Sequence, residues 1–152
     1  MKKYLILIFS LFIIPNIVWA KNNLSSKSNA LSNDGILIFN EQSNFDSIVF
    51  KENPNFIRVE FNSNASFIDA IFENRAYYYQ VNFNSIASFW GADFKSYTDF
   101  TAINFNSLAD FVNSKFQEGI RFESVYFKAI ADFSSAKFHK DVILLKRNPL
   151  LP

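Results

Sequence analysis

The sequence predicts an all-β solenoid, a chain wound from short strand fragments around a column of aromatic rings. Three observations predict it. From Phe39 to Leu144 a ring, or at the last step a leucine, returns after gaps that alternate between six and five residues, so the true period is eleven. Every Phe beyond residue 20 lies on this ladder, and Tyr78 fills the one slot inside it that lacks Phe. Two residues before each ring stands a second column, nearly all small or β-branched, as in Ile48, Val59, Ala65, Ala87, Ile103 and Ala131. A pair at i and i+2 on one side is strand periodicity. The residues between pairs are mostly Asn, Ser, Asp, Glu, Lys or Gly, which suit corners.

An eleven-residue period also occurs in right-handed helical supercoils, so a helix is the competing reading. At about 100° per residue, rings five apart fall about 140° from each other and spread around the cylinder. Phe, Asn, Ser and Ile are also indifferent helix formers. Strand fragments that turn two residues inward and bend at each corner fit better. Their backbone groups pair between successive coils about 4.8 Å apart.

Residues 1–20 open with Lys2 and Lys3, continue as an apolar run, and close on Val18-Trp19-Ala20. A positive start, a short apolar centre and small residues at the end are the parts of a secretory signal peptide, predicted as an N-terminal signal helix. The alternative is an uncleaved membrane anchor, although Pro15 interrupts a run already shorter than the roughly 20 residues of a spanning helix. The chain contains no Cys, so neither a lipid-modified cysteine nor a disulfide is available to an exported domain. Residues 21–34 are polar and aperiodic and predict a disordered leader. Residues 35–39 turn abruptly apolar, which starts the first strand and covers one end of the core, as terminal repeats require. Residues 145–152 follow the ladder as an aliphatic, proline-containing tail, predicted to cap the last coil.

The segments Ala65-Ser-Phe-Ile-Asp-Ala-Ile-Phe, Ala87-Ser-Phe-Trp-Gly-Ala-Asp-Phe, Ala109-Asp-Phe-Val-Asn-Ser-Lys-Phe and Ala131-Asp-Phe-Ser-Ser-Ala-Lys-Phe resemble the pentapeptide-repeat family. The family's unit is Ala, then Asp or Asn, then Leu or Phe, then two variable residues. The resemblance spans residues 37–144 and implies a right-handed quadrilateral parallel β-helix, with rings inside and the small column beside them. Every second unit here has six residues, so four sides take about 22 residues. Wider corners are expected at Gln42, Asn53, Asn64, Arg75, Ile86, Tyr97, Leu108, Gly119, Ile130 and Asp141.

Function then falls to the outward positions. The residue after each ring that opens a five-residue gap is unusually apolar in mid-chain, and Ile68, Tyr79, Trp90 and Val112 are the candidate contact residues. With two repeats per coil, Ile68, Trp90 and Val112 stack on one face and Ile57 and Tyr79 on another. Branched and aromatic residues also suit outward strand positions with no partner at all. Asp99, Asp110 and Asp132 fill the slot that the family gives to Asp or Asn, and turns and solubility account for them. His139 is the single His, so no Cys/His metal set, nucleophile–base pair or cofactor is implied. The expectation is a non-enzymatic exported rod that binds a protein, a cell-envelope component or a second copy through a coil end, with no membrane contact after cleavage. A mimic of double-stranded DNA that occupies a topoisomerase is the alternative by resemblance. Without Lys2 and Lys3 the chain carries 13 basic and 14 acidic side chains, from 15 and 14 in full, which gives no drive toward nucleic acid.

Overall fold

The computed structural model describes residues 30–31 and 34–146. The expected signal helix, most of the leader and the end of the tail, 147–152, lie outside the described residues. Every regular element within them is a strand, and the strands stack into a parallel β-solenoid of about five coils. Register fixes the coil length. Ala65 pairs with Ala87 and Ala87 with Ala109, a step of 22 residues that recurs throughout. Two eleven-residue repeats therefore close one coil.

Each coil has four strand segments. The first side stacks Ser43–Asn44, Ala65–Ser66, Ala87–Ser88, Ala109–Asp110 and Ala131–Asp132. The second stacks Val49–Phe50, Ile71–Phe72, Asp93–Phe94, Lys115–Phe116 and Lys137–Phe138. The third and fourth sides share one sheet, because Asn55–Phe61 and Ala76–Phe83 run through the corner between them as single strands. Later coils divide there, into Thr98–Thr101 and Asn104–Phe105, then Ile120–Glu123 and Tyr126–Phe127. Leu37–Phe39 opens the fourth side, and Val142–Leu145 is the last strand of the third.

The ladder of rings fills the interior as four columns. Within a column, rings from successive coils lie nearly parallel, as for Phe45 on Phe67 at 4.5 Å and Phe67 on Phe89 at 4.8 Å. Between columns most meet edge to face, as for Phe45 against Phe56 at 5.8 Å and Phe105 against Phe111 at 6.0 Å, while the first-side and second-side columns meet tilted, as for Phe45 against Phe50 at 41°. The parallel and edge-to-face geometries suit the ring quadrupole. The alanines of the second column, among them Ala65, Ala70, Ala87, Ala92 and Ala109, are buried beside the rings and leave room for them.

The two corner classes close differently. Every five-residue unit turns over a residue with positive φ, at Ser47, Arg58, Asp69, Gln80, Gly91, Ala102, Asn113, Ser124 and Ser135. Between the first and second sides this is a hydrogen-bonded β-turn, with the Ala70, Ala92 and Ser114 amides donating to the Phe67, Phe89 and Phe111 carbonyls. That pattern, with positive φ at the third residue, is the type II arrangement. Of the ten positions expected to form wider corners, only Gly119 has positive φ, because the extra residue lets the chain bend without leaving ordinary backbone space.

The ends differ. Ala30–Leu31, placed by sequence in the disordered leader, instead pairs antiparallel with Leu37–Phe39 and occupies the outer edge of the first coil. Backbone groups on that edge gain partners that the polar composition gave no hint of. At the other end the tail begins as a strand, since Leu145 belongs to Val142–Leu145; no described residue covers the last coil, and the rest of the expected cap lies outside the described residues.

Candidate interaction faces

With the interior filled, chemistry is confined to the outer sides, the corners and the open end. The 22-residue register brings Ile68, Trp90 and Val112 into one column on the corner between the first and second sides. Successive backbones bond there, with the Asp69 amide on the Trp90 carbonyl at 2.9 Å and the Gly91 amide on the Val112 carbonyl at 2.9 Å. Trp90 is 40% exposed, whereas Ile68 and Val112 are half-buried. Tyr79 is not with them. It stacks between Ile57 and Thr101 on the corner between the third and fourth sides, diagonally across the coil. The four candidates therefore make two separate surfaces.

A second apolar column was not read from the sequence as a site. Ile86, Leu108 and Ile130 line the other edge of the first side, bonded coil to coil through the Ala87 amide on Leu108 and the Ala109 amide on Ile130, each at 3.0 Å. Ile130 is 71% exposed. The signal was available, because these slots were recognised as corners and corners are ordinarily polar. Between the two columns run the outward side chains of the first side, Asn44, Ser66, Ser88, Asp110 and Asp132. Asp110 accepts from the Val112 amide at 3.0 Å and from the Ser88 hydroxyl at 3.1 Å, and Asp132 accepts from the Ser134 amide at 2.8 Å. These are Asx-turns that orient the carboxylates. The Ser134 hydroxyl and amide hold the Asp132 carboxyl below the usual carboxylate range.

Asp99, on the third side, has a different environment. It is buried, accepts from the Thr101 hydroxyl at 2.6 Å and faces the Arg75 guanidinium at 3.4 Å. Arg121 pairs with the buried Glu123 on the next coil. Arg75 lies over the Tyr97 ring at 5.3 Å, and the Tyr77 and Tyr79 rings lie parallel, 6.0 Å apart. Burial, then the Asp99 carboxylate, raises the Tyr77 pKa. These side chains form a charge-balanced network of two cations and two anions on the third side. His139 is exposed on the second side, and among the described residues no group of three His, Asp or Glu side chains is placed to hold a metal ion.

The last coil exposes what earlier coils bury. Phe127, Phe138 and Leu144 are 37%, 40% and 73% exposed. With Phe122 and Phe133 they line an open apolar hollow, and Lys128 and Lys146 stand at its rim.

Comparison with known families agrees with this geometry. A model of pentapeptide repeats, in nine copies, matches residues 45–93. No curated protein and no solved structure matches the chain significantly. The matched residues cover about two of the coils, and the same 22-residue register continues unbroken to Leu145, which is consistent with a pentapeptide-repeat protein.

Proposed function

We propose that this chain is an exported, non-enzymatic scaffold: a right-handed, four-sided pentapeptide-repeat rod that offers its outer faces to a protein or cell-envelope component and its open end to a second copy. One observation carries the reading. Rings and the small or branched apolar side chains beside them fill the interior, so the residues left to meet another molecule sit on the outer sides and at the last coil. The parts of a signal peptide in residues 1–20 support export. The test is N-terminal sequencing of the mature protein together with fractionation of the producing cells. A chain beginning at Lys21 outside the cytoplasm is expected; one beginning at Met1 in the soluble cytoplasmic fraction would sink the export reading.

One feature favours the alternative, a DNA mimic that occupies a topoisomerase. The first side and its two corners, residues 41–47, 63–69, 85–91, 107–113 and 129–135, carry Glu41, Asp46, Asp69, Asp110 and Asp132 and no Lys or Arg. Charge density decides against it. Five coils about 4.8 Å apart span roughly 19 Å, over which duplex DNA presents about eleven phosphates. Fewer than half that number face outward here, and aliphatic columns border them. Supercoiling by a purified topoisomerase is expected to be unchanged by the protein.

A further inference from the structure

We propose that the first side of the solenoid, with the corner on each of its edges, is the docking surface for a cationic amphipathic helix of a partner protein. The assignment rests on the scaffold reading and names the face and the partner's chemistry.

Two apolar rails, each three coils long, border this face, Ile86, Leu108 and Ile130 along one edge and Ile68, Trp90 and Val112 along the other; they stand opposite each other on the two coils of Ile86–Trp90 and Leu108–Val112, and Gln42, Asn64, Asp46 and Ser134 continue the edges as polar residues. The exposure of Ile130 at 71% and Trp90 at 40% leaves much of that surface in water. A contiguous patch of this kind marks an interaction site more often than scattered single residues do. Between the rails the charge is of one sign, with no cation anywhere on the face. The three ion pairs among the described residues, Arg75 with Asp99, Arg121 with Glu123 and Lys140 with Glu118, all lie elsewhere. Asp110 and Asp132 are held in place by turn hydrogen bonds and keep lone pairs for an incoming donor. The face thus requires a partner that is basic at its centre and aliphatic at its shoulders, which excludes anionic lipid and nucleic acid.

Dimensions select a helix. The rails stand four residues apart, about 10–13 Å across one side, and a helix with its side chains is about 10–12 Å wide. Laid along the solenoid axis, it rises 5.4 Å per turn against about 4.8 Å per coil. One turn therefore meets one coil, with a drift of about 0.6 Å each time. Lys or Arg along the centre of the bound face reaches Asp110 and Asp132, while Leu or Ile on both shoulders covers the rails.

The probe is a fluorescently labelled helical peptide of about five turns, with one stripe of lysines flanked by leucines, titrated against the full chain by anisotropy. Saturable binding that weakens with added salt is expected. Asp110→Asn with Asp132→Asn should weaken it at least about tenfold, and Ile86→Ser with Ile130→Ser should do the same. Asn keeps the turn acceptor, so the melting curve of the first pair should match wild type. Glu52→Gln with Glu73→Gln, on the second side, should bind as wild type does. Equal affinity for the Asp110/Asp132 pair, equal binding of a peptide with Glu in place of Lys, or occlusion of the face by a second copy would overturn the assignment. A photo-crosslinker placed in cells at Ser88, and separately at Lys95 on the second side, separates the two readings. Adducts to a partner only from Lys95 leave the scaffold standing and remove this face; no adduct from either position counts against both.

Discussion

Tyr78 is the residue at which the packing rule is broken. It occupies a ring slot and is completely buried, yet its hydroxyl has no hydrogen-bond partner. The neighbouring stack is uneven: Phe56 lies 9° from its plane, whereas Phe100 on the other side is tilted by 33°. An unsatisfied buried hydroxyl costs about 1–3 kcal/mol, so Tyr78→Phe is expected to stabilise the fold and raise the melting temperature. Burial also pushes the Tyr78 pKa well above its ordinary value. In the unfolded chain this phenol ionises near pH 10, while in the folded chain it stays protonated. The unfolded state then binds fewer protons, and stability falls as pH rises above about 10. Melting temperatures measured across that range should drop more steeply for wild type than for Tyr78→Phe; parallel slopes would mean that the hydroxyl reaches water. The ring at position 78 was legible from period alone, but the missing partner was not, since it depends on what surrounds the hydroxyl. The left-handed corners were equally hidden. Ser47, Arg58, Asp69, Gln80 and Ala102 share a backbone conformation and no side-chain feature. Gly91 alone advertises it, and there a Cβ would also collide with the Asp69 carboxylate.

At the scale of elements, register does what side chains alone could not. Asn40, Asn62, Asn84 and Asn106 follow the rings of the fourth side, and each of the last three donates its side-chain amide to the carbonyl oxygen of the one a coil before, at 2.7, 2.8 and 2.6 Å. Such a ladder ties coils together along an edge that the rings do not reach. It stops at Asn106, whose carbonyl oxygen is buried without a partner, because the next slot holds the exposed Lys128. Lys128→Asn should extend the ladder by one rung, satisfy that oxygen and add about 1 kcal/mol, read as a rise in melting temperature. No rise would show that Asn106 is already hydrated. Inside the coil, Phe100→Ala removes a fully buried ring and should cost about 3–5 kcal/mol; with Phe111→Ala as well, cooperative unfolding should be lost. The ring columns were readable because a strict period leaves few other arrangements. The Asn ladder was visible only as frequent Asn, since contacts 22 residues apart appear once the coil length is known. The pairing of Trp90 with Ile68 and Val112 needed that same length, and the separation of Tyr79 from them follows from it.

On the scale of the whole molecule, the two ends of the rod have unequal fates. Rings in the first coil are buried, Phe39 at 4% and Phe45 at 1%, while Leu144 in the last is 73% exposed. In a stacked-repeat protein each coil is stabilised by its neighbours, so the terminal coil is the least protected. Amides of residues 131–145 should exchange with solvent faster than those of residues 76–111. The same end carries the self-association proposed above. Val142–Leu145 pairs with Ile120–Glu123 on one side only among the described residues, and all four of its side chains are exposed and aliphatic. An apolar edge with free backbone groups is a template for another strand, and an inward-pointing charge is the usual means of blocking it. Leu144→Lys places such a charge at the top of a ring column. Because that side chain is already mostly in water, the substitution should leave the β-sheet spectrum and the cooperativity of melting intact. Sedimentation of wild type should show a concentration-dependent dimer, and Leu144→Lys should stay monomeric over the same range. A wild-type chain that sediments as a monomer at every concentration would show that the last coil is covered from within its own chain, and the open end would no longer count as a contact surface.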